Sequence, residues 1–401
     1  MTDIQKENKS GGKVPNLRFP SFYGDWEVKK LGDLLEFKNG INASKEQYGK
    51  GVKFINVLDI LNNDFITYES IIGKVDVDST IIEKFSVQYG DVLFQRSSET
   101  REEVGTANIY LDKDKIATFG GFVIRGKKIG NYNPIFFNKL LKTESARESI
   151  TSKSGGSTRF NIGQDILSSI SLYFPSIYEQ DRIASFFSLI DERIQTQNKI
   201  INDLKTLKTT LSKKIFSLEL RFKDDKGNEF LEWEDALLGD ALDYEQPTNY
   251  LVSSTEYDDR FETPVVTAGK TFILGYTDEK NGLFEKEKLP VIIFDDFTTA
   301  SQFVDFPFKA KSSAMKILKA KNDTNIRFIF EALQMINYEV GGHGRHWISV
   351  FSNLSIFVPS LSEQTKIANS LSSIDSKIDI ENQLLQKLEA QKKYLLQNMF
   401  V

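Results

Sequence analysis

Both histidines of the chain fall in one short loop, Gly341-Gly342-His343-Gly344-Arg345-His346. Two imidazoles at that spacing can ligate zinc. Without a cysteine or an adjacent acid they leave the site incomplete, because zinc centres take three or four protein ligands. Recognition fits the loop better. Its glycines let the backbone approach a partner closely, and His343, Arg345 and His346 offer a cation and hydrogen-bond donors to a phosphate or a base edge. A structural turn is the competing reading. The first half of the chain has a loop of the same shape, Ser154-Gly155-Gly156-Ser157-Thr158-Arg159-Phe160, in which Thr158 and Arg159 are the matching candidates.

Machinery for catalysis is sparse. No GxxxxGK[ST] loop and no GxGxxG after a strand are present. Asn133-Pro134-Ile135-Phe136 lacks the second proline of the Asn-Pro-Pro-Phe loop with which amino-methyltransferases grip a flipped adenine, and no glycine-rich S-adenosylmethionine loop accompanies it. Asn133 and Pro134 instead suggest the cap and first residue of a helix through IFFNKLLKTESAR. Asp295-Asp296 could serve a metal-dependent nuclease, but adjacent acids in a strand point to opposite faces. Base readers can be nominated by type. Gln95, Arg96, Ser97 and Ser98 follow one apolar strand, and Thr298, Thr299, Ser301 and Gln302 follow another. An amide suits adenine and a guanidinium suits guanine. Lys53, and the run Lys309, Lys311, Lys316, Lys319 and Lys321, are candidate phosphate contacts, with a solvated face as the bland alternative.

The elements that position these residues are set by a repeat. Residues 175 to 216 and 359 to 400 align without a gap, sharing Pro175/Pro359, Glu179/Glu363, Gln180/Gln364, Ile183/Ile367, Ile190/Ile374, Asp191/Asp375 and Ile194/Ile378. Each copy carries a heptad stripe. The first runs Ile183, Phe187, Ile190, Ile194, Ile201, Leu204 and Leu211; the second runs Ile367, Leu371, Ile374, Ile378, Leu385, Leu388 and Leu395. Both stripes are interrupted at the same two places, Gln197/Glu381 and Lys208/Lys392, as register devices would be. A parallel pairing would set Lys208 against Lys392, so the stripes predict an intramolecular antiparallel coiled coil, roughly 60 Å long at about 1.5 Å per residue.

Upstream of each helix stands a matching opening, Trp26-Glu27 with Leu31-Gly32-Asp33 and Trp233-Glu234 with Leu238-Gly239-Asp240. Between opening and helix the two halves diverge. The runs VKFINVLDI, GDVLFQRSS, TANIYL and GGFVIRG in the first, and TPVVTAG, TFILGYT, LPVIIFDDF and AMKILKA in the second, read as strands between turns. The expected fold class is α+β: two β-rich domains, each a curved mixed sheet with helices at its side, separated by a long antiparallel two-helix coiled coil with a pseudo-twofold repeat. The expected boundaries are a tail over 1–24, disordered in its first dozen residues, a domain over 25–175, a helix over 176–222, a linker over 223–230, a second domain over 231–358 and a helix over 359–401. No apolar run reaches membrane-span length and the polar start lacks a signal-peptide core, so a cytoplasmic protein is expected. The absence of cysteine excludes disulfides and thiolate chemistry.

These residues resemble the specificity subunits of type I restriction-modification systems. The likeness rests on VPNLRFPSFYGDWEVKKLGDL, on the GDVLF strand at Gly90 to Phe94, and above all on the two Pro-Ser-x-x-Glu-Gln helices, EQDRIASFFSLIDERI and EQTKIANSLSSIDSKI; it covers nearly the whole chain. It implies two target-recognition domains that each read half of a split site in double-stranded DNA. It also implies that the helices dock two methyltransferase subunits, which methylate adenine at N6, and that restriction/translocase subunits cut unmethylated DNA. The chain itself would be non-catalytic and hold no metal, with S-adenosylmethionine, Mg and ATP on the partner subunits. A net charge of -5 fits DNA poorly, so binding by the chain alone should be weak. The alternatives are a coiled-coil scaffold with no nucleic-acid role and a self-sufficient methyltransferase.

Overall fold

Each opening segment folds as a strand, one helical turn and a second strand: Glu27–Lys30, Leu31–Leu34 and Leu35–Asn39 in one half, Glu234–Leu237, Leu238–Ala241 and Leu242–Glu245 in the other. Trp26, Leu31, Trp233 and Leu238 are buried. Close approach favours glycine at both turns, because a Cβ on Gly32 would sit 3.1 Å from the Ser168 carbonyl and one on Gly239 2.8 Å from the Ser352 carbonyl. The structure, a computed structural model, describes residues 14–269, 271–321, 323–340 and 344–401. They form two units, one reaching Gln197 and including Leu384–Val401, the other spanning Asn198–Gln383.

In the first unit an antiparallel sheet runs in the order Leu35–Asn39, Val123–Lys128, Val92–Gln95, Ala107–Ile109. A smaller sheet holds Lys74–Val75, Tyr48–Ile55 and Thr118–Phe119, the last two parallel. The second unit repeats this order with Leu242–Glu245, Met315–Ala320, Val291–Asp295 and Ser301–Val304, and with Ile273–Thr277, Thr263–Val266 and Lys309–Ala310. Again the last two strands are parallel. The divergent stretches therefore share one topology, split into an antiparallel sheet and a mixed one rather than a single mixed sheet. The run VKFINVLDI is also not one strand. It ends at Ile55, and Val57–Leu61 is helical because the Asp59 carboxylate accepts from Asn56 N at 2.7 Å, an acid closing the first turn of the helix.

The repeated helices are Ile177–Phe216 and Leu361–Asn398. Their stripes are inward. Ile183, Phe187, Ile201, Ile367, Leu371, Ile378 and Leu388 are buried, while Ile190, Ile194, Leu204, Leu211, Ile374, Leu385 and Leu395 are half-buried. The paired lysines explain the register. In the first unit Lys392 Nζ lies 2.7 Å from Asp191 Oδ1, and in the second Lys208 Nζ lies 2.7 Å from Asp375 Oδ2. Each seam lysine thus meets the repeated aspartate of the other helix, which requires the two helices to run antiparallel.

The Glu-Gln pair at each helix start fastens the domain to it. Gln180 Oε1 accepts from Asn133 N (3.0 Å), and Gln364 Oε1 accepts from Asn325 N (2.8 Å). Asn133 and Asn325 in turn cap Pro134–Leu140 and Ile326–Gln334, each accepting from two backbone N–H groups. Glu179 is held by Arg18 and Glu363 by Arg221. Arg18 and Arg221 stand in Leu17-Arg18-Phe19 and Leu220-Arg221-Phe222, so the repeat begins upstream of the tryptophans. Around the turn of residues 224–228, Lys223 pairs with Glu229 at 2.7 Å.

Candidate nucleic-acid interface

The strand Val92–Gln95 delivers its end to the glycine loop of the first unit. Ser97–Ser98 pairs antiparallel with Phe160–Asn161, and Ile162 N donates to the Arg96 carbonyl at 3.0 Å. The two candidate sets of this half therefore form one surface. Arg96, Thr158 and Arg159 are exposed on it and Ser97 is half-exposed, its hydroxyl donating to Asn161 Oδ1 at 2.6 Å. The Arg159 guanidinium lies 5.9 Å from the Phe122 ring, and Phe122 is itself 62% exposed. The Gly90-Asp91 start of the strand is structural. Asp91 accepts from Gln88 N and Lys128 N, and burial pushes its carboxyl up despite these bonds.

The second unit repeats the junction with different chemistry. His346 N donates to the Asp296 carbonyl at 2.9 Å and Trp347 N to Asp296 Oδ1 at 2.8 Å, so the loop carrying Arg345 abuts the turn carrying Thr298 and Thr299. Arg345 and Thr298 are exposed; Thr299, Ser301, Gln302 and Lys311 are half-exposed. The Gln302 amide donates to Gly269 O at 3.4 Å, Ser301 accepts from Gln334 at 2.8 Å, and Lys311 donates to the Tyr257 hydroxyl at 3.0 Å. Asp295 accepts from Phe297 N and Thr298 N, shaping the turn, while buried Asp296 lies 3.3 Å from the Lys316 ammonium. The acidic pair is thus a turn device and a buried anchor. Among the described residues no cluster of three His, Cys, Asp or Glu side chains could hold a metal.

Burial removes five candidates from the contact set, Lys316 beside Asp296 among them. Gln95 donates to the Ser97 carbonyl, Ser98 to Glu103, and Lys309 to the Asn281 carbonyl and Glu279, all below the surface. His346 is buried too, with Nδ1 2.9 Å from the Asp296 carbonyl, because it opens the short helix His346–Ser349 that seats Trp347 in the core. A backbone N–H of Ser254 and then of Ser253, together with Lys309, holds the Glu279 carboxyl low against its desolvation. Lys53 is half-buried and donates to the Ile71 carbonyl. His343, with Gly341 and Gly342, lies outside the described residues.

Sequence reasoning missed Phe122, Asn39 and Gln164. The last two line a cleft of about 750 Å³ with Arg96, Gly155, Gly156 and Asn161. Phe122 sits in Gly120-Gly121-Phe122, and an aromatic after two glycines is a signal that could have nominated it.

Comparisons with known proteins identify the family and the fold. The family model for the type I restriction modification DNA specificity domain matches residues 23–206 and again 231–390. The Escherichia coli EcoR124I/EcoR124II specificity subunit is 51% identical over 126 residues, which cover 30% of this chain and 31% of that relative, under a third of its length. The putative type I restriction enzyme MjaX specificity subunit of Methanocaldococcus jannaschii is 25% identical over 395 residues, 93% of this chain and 92% of that one. In fold, the chain is similar to the type I restriction-modification S subunit from M. genitalium, with TM-score 0.62 at 18% identity over 97% of this chain and 99% of that structure. A chain from a type I R-M system structure gives TM-score 0.54 at 13% identity, covering 94% and 97%. With two copies of the matched domain over most of its length, the chain belongs to the family of type I restriction-modification DNA specificity subunits.

Proposed function

We propose that the chain reads a bipartite site in double-stranded DNA, one half with each unit, and directs N6-adenine methylation or restriction by partner subunits. One observation carries the reading. In both units the end of the glycine loop bonds to the carbonyl just past the central strand, Ile162 N to Arg96 in one and His346 N to Asp296 in the other, but the groups presented around it differ: Arg96, Ser97, Thr158 and Arg159 against Thr298, Thr299 and Arg345. One scaffold with two sets of exposed groups suits two different half-sites. S-adenosylmethionine, Mg and ATP belong in this reading to two methyltransferase subunits and to restriction/translocase subunits, which would work in the cytoplasm. None of the described helices is long and apolar enough to cross a membrane. With a net charge of -5, binding by the chain alone is weak and much of the phosphate contact falls to partners.

The test is to co-express the chain with its methyltransferase subunit and map modified adenines across a genome. A split motif with a fixed spacer is expected. Modification without such a motif, or none in a complex that assembles, overturns the reading in favour of a scaffold. S-adenosylmethionine binding by the purified chain would favour a self-sufficient methyltransferase instead.

A further inference from the structure

The open cleft of the first unit is lined by two amide residues whose side chains make no hydrogen bond within the described protein. Asn39 ends the edge strand Leu35–Asn39, and Gln164 begins the short helix Gln164–Ser168 that packs against that strand. Both side chains are half-buried in the cleft wall, yet neither makes a hydrogen bond or ion pair to any described residue. Asn161 behaves differently. Its Oδ1 accepts from Ser97 and its Nδ2 donates to the Arg159 carbonyl, so it holds the loop. Neither amide is among the buried polar atoms left without a partner, so both open to the water of the cleft and can exchange it for a ligand without breaking a bond inside the protein. The approach is also clear, since a Cβ added at Gly155 or at Gly163 would meet nothing within 4 Å.

We infer that Asn39 and Gln164 are specificity-determining residues of the first unit, reading adenine edges in the half-site that Arg96 and Arg159 approach. A carboxamide presents one acceptor and one donor in a plane, matching the N6 amino group and N7 of adenine in the major groove. The adjacent Arg96 supplies the complementary guanine chemistry on the same wall. The inference rests on the reading that this unit binds DNA. It adds which side chains choose the base, one on a distant edge strand and one just past the glycine-arginine loop.

The experiment uses the full chain assembled with its methyltransferase subunit and a library of randomised duplexes. Wild type should select a split site; if it selects none, the reading of the chain as a DNA reader fails and the inference falls with it. Given a selected site, Asn39→Ala and Gln164→Ala should each relax one adenine-bearing position of one half by about ten- to a hundred-fold, leaving the other half intact. Gln164→Glu should shift that position toward cytosine, whose amino group a carboxylate accepts. Melting temperatures should match wild type, because no internal bond is lost. Unchanged selection in these variants, a change confined to the other half, or unfolding of the alanine variants overturns the assignment while leaving the split-site reading intact.

Discussion

Arg159 and Arg345 stand beside equivalent strand ends in the two units, and both are exposed. Arg159→Ala and Arg345→Ala should each lower DNA affinity of the assembled complex. A lost phosphate contact reduces the salt slope by about one ion, whereas a lost guanine contact costs about 1 to 3 kcal/mol and relaxes one position. Titrations at several salt concentrations separate the two; wild-type affinity and slope in both variants would make the loops structural turns. Asp191 has the opposite character. Burial favours its neutral form, but the Lys139 and Lys392 ammoniums outweigh that and hold its carboxyl below the usual range. Asp191→Ala strands Lys139, whose side chain is 1% exposed, and should cost about 3 to 5 kcal/mol in denaturant unfolding. The sign with pH follows. The stabilisation is complete above the unfolded carboxylate value of about 3.9 and disappears as pH falls through the lower folded value. The acid-induced loss of stability should therefore be shallower in Asp191→Asn than in wild type.

The two long helices were the most legible elements because a heptad stripe is a local pattern that needs no knowledge of distant chain. Replacing Ile190 or Ile374 by aspartate places an unpaired charge in the seam and should cost about 3 kcal/mol, read as a lower denaturation midpoint. Unchanged stability in both variants would rule out the pairing. The strands were legible from apolar runs, while the helix Val57–Leu61 was hidden because an apolar run does not reveal that Asp59 reaches back to cap it. The candidate site was legible only in part. Glycines and arginines mark exposed loops, but His346 looked equally exposed until the Asp296 carbonyl and the seating of Trp347 drew it inward. Asn39 and Gln164 carry no motif; they reach one cleft through tertiary packing of an edge strand and a helix far apart in sequence.

Each unit is completed by a residue at the end of a long helix, Phe400 just past one and Phe216 closing the other, from outside its own globular stretch, and this constrains how the molecule can be re-engineered. Phe400 stacks on Phe136 with ring centroids 5.4 Å apart and meets Trp26 at 6.3 Å; in the second unit Phe216 meets Phe328 at 5.5 Å and Trp233 at 6.1 Å. Together with Asn133 on Gln180 and Lys139 on Asp191, these contacts form a fixed docking set, whereas Arg96, Thr158 and Arg159 lie apart from it on the proposed reading surface. The docking residues are therefore distinct from the residues proposed to read DNA in the same domain. Exchanging residues 25 to 175 for the first domain of another specificity subunit should then change one half of the methylated site and leave the other half and the spacer as they were, provided the donor supplies counterparts of Trp26, Asn133, Phe136 and Lys139. A donor lacking the Trp26 and Phe136 counterparts leaves Phe400 without its aromatic partners, and truncating a buried aromatic contact of this kind costs about 3 to 5 kcal/mol. Such a chimera should melt at lower temperature and lose methylation at both halves together. Genome-wide mapping of methylated adenines reads both outcomes, and a well-folded chimera whose second half-site also changed would show that the two units do not read independently.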